Sequence, residues 1–158
     1  MNPEIVQAAR WTGLLHDLGK YRKEFQEYFR GERTRSIEMQ HAGYGAALAI
    51  SRKWLRPAFA IAGHHAGLHC RPNLRELIGN FLYRISDCRA ELTVRFEKEV
   101  FAIPQKIEEP KFLNGKPVSA EFYIRMLFSA LVDADFLDTK TITGADHSEN
   151  HSSFVRHG

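Results

Sequence analysis

The stretch Asn2–Lys20, NPEIVQAARWTGLLHDLGK, decides how the rest of the chain reads. Asn2 can cap a helix and Pro3 suits a first helical position, so a helix is expected from there to about Asp17, with a break at Gly19. At 100° per residue, Ile5, Ala8, Ala9, Thr12 and Leu15 share one face. His16 falls about 20° from Ile5 on that wheel, inside the stripe that should be buried. A titratable group therefore sits where an apolar one is expected.

Outward from this stretch the chain repeats the pattern. Few segments alternate apolar and polar residues as a half-buried strand would. Further helices are expected over Tyr21–Phe29, His41–Leu55 and Pro57–Ala66. A long one follows from an Asn73 cap to Val100, with Leu74, Leu77, Ile78, Phe81, Leu82 and Ile85 at helical spacing. Ser119 is expected to cap a sixth, running to Leu137. Glu32–Met39, Gly67–Pro72 and the segment around Pro104, Pro110, Gly115 and Pro117 read as connections. The reading is all-α, a bundle of about six helices. Residues 1–140 form one domain, and residues 141–158 are read as a polar, flexible tail.

Composition agrees. The 158 residues carry 22 Lys+Arg and 19 Asp+Glu, a net +3, with 44% hydrophobic and 26% charged types. This balance is that of a globular domain and excludes a disordered or collagen-like chain. Such a chain buries about 70% of its unfolded surface, enough for a core without staples. Cys70 and Cys88 are too few for a disulfide framework and read as free thiols. No apolar run reaches the roughly 20 residues that span a bilayer, and the start lacks a signal-peptide pattern, so a cytoplasmic protein with no membrane partner is expected.

The eight histidines are more informative than the net charge. In the third expected helix His41 shares a face with Tyr44, Gly45 and Leu48. In the fourth, His64 and His65 straddle the face of Ala58 and Ile61. In the sixth, Asp135 continues the stripe of Ile124, Leu127, Phe128 and Leu131. A lone His on an apolar face is more often a satisfied core residue than a ligand. Four helices that each turn an imidazole or carboxylate inward are a different matter. Burying such groups without a partner costs several kcal/mol at worst, at about 2–7 each. One shared metal ion, or two ions sharing an Asp, removes that cost, and imidazole with carboxylate suits Mn, Fe, Ni, Co or Zn.

The motifs His16-Asp17 in LLHDLGK, His41 in QHAGYGA, His64-His65 in AGHHAGL, and LVDADFLDT resemble those of the HD-domain metal-dependent phosphohydrolase superfamily. Across roughly residues 4–140 the chain resembles in particular the HD nuclease domain of the CRISPR-associated type I helicase-nuclease. That resemblance implies His16 and Asp17 as metal ligands, with Asp17 bridging two ions and acting in catalysis. It implies His41, His64 and His65 on the second ion and a late Asp on the first. Asp135 fits the family frame Ala134-Asp135-Phe136-Leu137 with Thr139 and lies on the core stripe; Asp133 is the fallback. Lys20 would lie near the ions and stabilise charge on phosphate.

The cofactor implied is a pair of divalent transition-metal ions, Mn, Ni, Co or Fe, with Mg as a further candidate. The implied partners are single-stranded DNA, a helicase domain or subunit, and a CRISPR surveillance complex; the implied activity is cleavage of that DNA in type I interference. The chain would then be a standalone nuclease subunit or an excised domain. Family members carry a further His upstream of the first motif, and none of the 15 residues before His16 is one. His147, His151 or His157 could substitute. Two other readings stand beside the nuclease: an HD phosphohydrolase acting on nucleotides or cyclic nucleotides, and a non-catalytic nucleic-acid-binding module with an incomplete metal site. The segment KYRKEFQEYFRGERTR interleaves basic and aromatic residues as single-strand binders do. It also reads as a surface helix with a buried Phe25/Phe29 stripe. Trp11 and Trp54 read as core.

Overall fold

The computed structural model describes the backbone of residues 2–34, 41–100 and 102–149, with side chains up to residue 138 other than that of Asp87. Among the described residues the fold is all-helical. It comprises α1 (Pro3–His16), α2 (Lys23–Phe29), α3 (His41–Ser51), α4 (Leu55–Gly63), α5 (Arg71–Glu99) and α6 (Pro117–Glu149), with 3₁₀ turns at Leu18–Tyr21 and Lys111–Leu113. α1 begins as the sequence predicts: the Asn2 side chain accepts from the Glu4 and Ile5 amides at 2.9 and 3.2 Å.

α3 is the spine. Every residue from Gly43 to Ala49 is buried, so the single apolar stripe expected here is in fact a full cylinder. A helix that is apolar all round must lie inside, and α3 packs against α1, α4, α5 and the first 3₁₀ turn. Small side chains let those neighbours approach. A Cβ on Gly45 would lie 2.9 Å from the Leu15 carbonyl carbon and closer still to its oxygen, and a Cβ on Gly43 would strike the Phe81 ring at 2.5 Å. α6 closes the other side, packing on α1 and α4. The core includes Leu15, Leu48, Ile61, Phe81, Ile85, Phe96 and Leu127, each at most 1% exposed. Trp11 and Trp54 are buried in it, with ring centroids 6.2 Å apart.

Several boundaries differ from the sequence reading. α3 stops at Ser51, not Leu55. The Lys53 amide bonds to Ile50 O at 2.9 Å and the Trp54 amide to Ala49 O at 2.8 Å, with Lys53 at φ +64. This is a Schellman stop with lysine where glycine is usual, so the sequence carried no stop signal. Leu55 instead opens α4, which ends at Gly63 rather than Ala66. The second helix begins at Lys23, because Tyr21 belongs to the 3₁₀ turn.

Asn73 and Ser119 do not cap. Cys70 is the N-cap of α5, without a side-chain bond, and α6 already begins at Pro117. Proline in the first turn is the signal that should have been weighted, since its missing N–H costs nothing there. α6 runs twelve residues past Leu137, through the boundary drawn at 140. The stretch holds no proline, and Gly144 alone costs only about 1 kcal/mol, too little to end a helix. Residues 150–158 of the expected tail, Arg35–Met39 of the expected loop and Gln40 after it lie outside the described residues. Leu82 and Phe29, expected inside, are 38% and 79% exposed; Leu82 borders a small open cavity that Ile50 and Leu55 also line. Among the described residues no helix is long and apolar enough to cross a membrane. Cys70 and Cys88 are free thiols.

Candidate metal centre

His16 is the last residue of α1. Its Nδ1 faces the Gly13 carbonyl one turn back. A carbonyl can only accept, so Nδ1 carries a proton, and in the neutral imidazole Nε2 is then the atom with the lone pair. His64, just past α4, repeats the arrangement with Nδ1–H donating to Ile61 O at 2.7 Å. Two helix ends thus hold two imidazoles in the same tautomer, each with a free Nε2. Backbone anchoring of the remote nitrogen is how metal-binding histidines are commonly oriented.

Asp17 follows at the bend where α1 gives way to the 3₁₀ turn, and the Lys20 amide closes that bend on Asp17 O at 2.8 Å. Lys20 Nζ holds the carboxylate from outside, 2.7 Å from Oδ2. Oδ1 points inward, 3.3 Å from His16 Nε2 and 3.6 Å from His41 Nε2. His41 can come this close because residue 19 is glycine: a Cβ there would sit 2.5 Å from the Cα and carbonyl oxygen of His41. Gln26 braces the turn, donating from Nε2 to Lys20 O at 2.7 Å, and the Phe25 ring meets the His41 ring edge-on at 5.6 Å.

His65 is exposed, and its Nε2 lies 2.9 Å from His41 Nε2. From α6, Asp135 brings Oδ1 to 3.6 Å from His16 Nε2. Asp133 is exposed, and the geometry joins Asp135 rather than Asp133 to the cluster. The structure thus brings together all six expected metal-site residues, with Lys20 beside Asp17. His147 lies on α6 with its side chain outside the described residues; His151 and His157 lie outside them altogether.

The cluster offers inward-facing ligand atoms to a cation. His16 Nε2, Asp17 Oδ1 and His64 Nε2 are buried with no hydrogen-bond partner. With the imidazoles neutral, as metal binding requires, all three bear lone pairs, and buried acceptors facing one another are costly unless something positive joins them. With metal bonds of about 2.0–2.1 Å, two ligand atoms on one ion lie about 3.0–3.4 Å apart, close to the separations here. His41, His64 and His65 offer ring nitrogens all within 4.8 Å of one another, a group that can hold a metal ion.

Burial, partly opposed by Asp17 and reinforced by Lys20, His65 and His64, lowers the His41 pKa to about 4. Burial likewise lowers that of His64, opposed by the Ile61 carbonyl. Both imidazoles are therefore held neutral at pH 7, the form that binds metal.

This gives a pH expectation for metal-free protein. Between pH 6.5 and 4 the unfolded chain binds a proton at His41 that the folded chain does not. Stability contributed by the neutral His41 is then full above pH 6.5 and lost as pH falls toward 4. Melting temperature in EDTA should drop across this window, and His41→Gln should flatten the slope. Equal slopes in both proteins would show that His41 does not drive the effect.

The sequence reading did not find Gln26, Phe25 or the α5 side chains Arg95 and Lys98, which share a cleft with Asp17 and Lys20. Gln26 and Phe25 lay in a segment weighed only as a nucleic-acid surface or apolar stripe. Arg95 and Lys98 lie more than seventy residues from the motif, on the flank of a long helix, and carry no spacing signal. The chain matches no known family model, no curated protein and no solved structure.

Proposed function

We propose that the chain is a metal-dependent nuclease of the HD type that cuts single-stranded DNA. The observation that carries this is the Asp17 carboxylate, held by Lys20 on one oxygen and aimed with the other, partnerless, between His16 and His41. His16, Asp17 and Asp135 would hold one divalent ion. His41, His64 and His65 would hold the second, with Asp17 bridging. Mn, Ni, Co or Fe suit this nitrogen-rich set, and Mg is the harder alternative. Bound ions supply Lewis-acid chemistry, acidifying water and polarising a phosphodiester.

The chain's own groups do the rest. The backbone carbonyls of Gly13 and Ile61 fix the tautomers of His16 and His64. Lys20 orients Asp17, and its ammonium stands beside the place where negative charge would develop. Action in CRISPR type I interference, with a helicase domain or subunit and a surveillance complex presenting the strand, is proposed from the motif resemblance alone.

The test is cleavage of a circular single-stranded DNA by purified protein with Mn, Ni, Co, Fe, Mg or Zn in turn, against an EDTA control. Linearisation with at least one metal and none in EDTA is expected. Folded protein that cuts with no metal would overturn the nuclease reading. Release of phosphate from mononucleotides or cyclic dinucleotides, with the circle intact, would instead favour the nucleotide phosphohydrolase.

A further inference from the structure

A cleft of about 580 Å³ opens beside the cluster, lined by Asp17, Lys20, Tyr21, Gln26, Arg95, Lys98 and Glu99. One end reaches the Asp17–Lys20 pair. The other is walled by the C-terminal half of α5, where Arg95, Lys98 and Glu99 are all exposed. It is a trough rather than an enclosed pocket, which suits a chain passing through more than a small molecule held within.

The charges are sorted. Burial and the neighbouring Glu99 carboxylate raise the Tyr21 pKa. Asp17 is held by Lys20. Arg95 is engaged twice, with Glu91 at 2.7 Å and with the Tyr21 carbonyl at 3.2 Å. Lys98 makes no ion pair among the described residues and stands at the trough's outer wall. The lining carries three cations, Lys20, Arg95 and Lys98, against two carboxylates, Asp17 and Glu99, an excess of one positive charge. A trough with this excess, ending at the proposed metal centre, suits the backbone of a polyanion.

We infer that Lys98, seconded by Arg95, forms a subsite for a phosphate of the substrate strand next to the one that is cut. This rests on the proposed nuclease reading and adds to it that binding extends beyond the metal centre. It makes Lys98 a strand-binding residue, not a catalytic one.

The test compares wild type with Lys98→Ala and Lys98→Arg, whose exposed position leaves folding intact. Two probes are used. A labelled oligothymidylate measures binding in EDTA and cleavage with metal; bis(p-nitrophenyl) phosphate reports the metal centre alone. Loss of one charged contact should weaken oligonucleotide binding in EDTA about five- to tenfold. The slope of log affinity against log salt should shrink by about one. KM for the strand should rise several-fold more than KM for the small diester, and Lys98→Arg should restore both. Equal oligonucleotide affinity and salt slope in Lys98→Ala and wild type would overturn the subsite, even if wild type cuts DNA. An equal loss on both substrates would also overturn it, placing Lys98 at the metal centre. Wild type that binds the strand in EDTA but never cuts would sink the nuclease reading while the Lys98 comparison still decides the subsite.

Discussion

Asp17→Ala is expected to abolish metal-dependent cleavage, by well over about a hundredfold in kcat/KM. Loss of an outer partner of a metal ligand already costs about 10–100-fold, and Asp17 is the one carboxylate placed between the imidazoles of α1 and α3. The fold should survive. The Asp17 side chain bonds only to Lys20 within reach of solvent, and its backbone role in closing the 3₁₀ turn is independent of the carboxylate. Metal content of the purified variant should fall, and added metal should no longer raise its melting temperature, because ligand-induced stabilisation scales with affinity. Lys20→Ala removes the brace on Oδ2 and the ammonium beside it but leaves every proposed metal ligand in place, so its loss should be smaller, about 10–100-fold. Wild-type metal uptake by Asp17→Ala would remove Asp17 from the centre.

The largest stability effect is expected at a residue with no side chain. Gly45→Ala places a methyl group against the Leu15 carbonyl, with Ile61 Cγ2 a further 3.3 Å contact. Alanine gains about 1 kcal/mol in helix propensity, while overpacking costs about 1–3 kcal/mol or more. The obstacle here is backbone inside α1, which cannot rotate away, so the upper end applies. A net loss of about 2–3 kcal/mol corresponds to roughly 4–12 °C in a chain of this size. Because the same carbonyl precedes His16, metal affinity should fall too. Gly79→Ala is the internal comparison: it lies in α5 with nothing within 4 Å of the added Cβ. It should stabilise by up to about 1 kcal/mol. If both substitutions behave alike in thermal melts, the close α1–α3 approach is not as described.

The fold class was legible because apolar residues recur at helical spacing in α1, α5 and α6 and few segments alternate. Helix ends were less so, for a physical reason visible at Lys53. The stop there is made by backbone hydrogen bonds that any residue tolerates at modest cost, and only glycine would have announced it. The cluster residues were legible through one contradiction, polar groups at core positions, repeated on four helices. What brings them together was not. Gly19 and Gly45 read in the sequence as a break and as part of a small-residue helix. Only the packed structure shows that each is a point where another backbone passes within touching distance. The trough was invisible for a similar reason: its far wall comes from a helix flank that carries no pattern of its own.

The cluster has an unequal geography along the chain. His16, Asp17, His41, His64 and His65 all lie within the first 65 residues, and Asp135 arrives 70 residues later on α6. At about 5–20 residues per second of synthesis, the imidazole-rich half is made roughly 4–14 s before its last carboxylate. During that interval α1 and α4 lack the helix that packs on them. Docking of α6 is then the event that joins the late carboxylate to the histidines, so the full set of six side chains is a late product of synthesis rather than a local one.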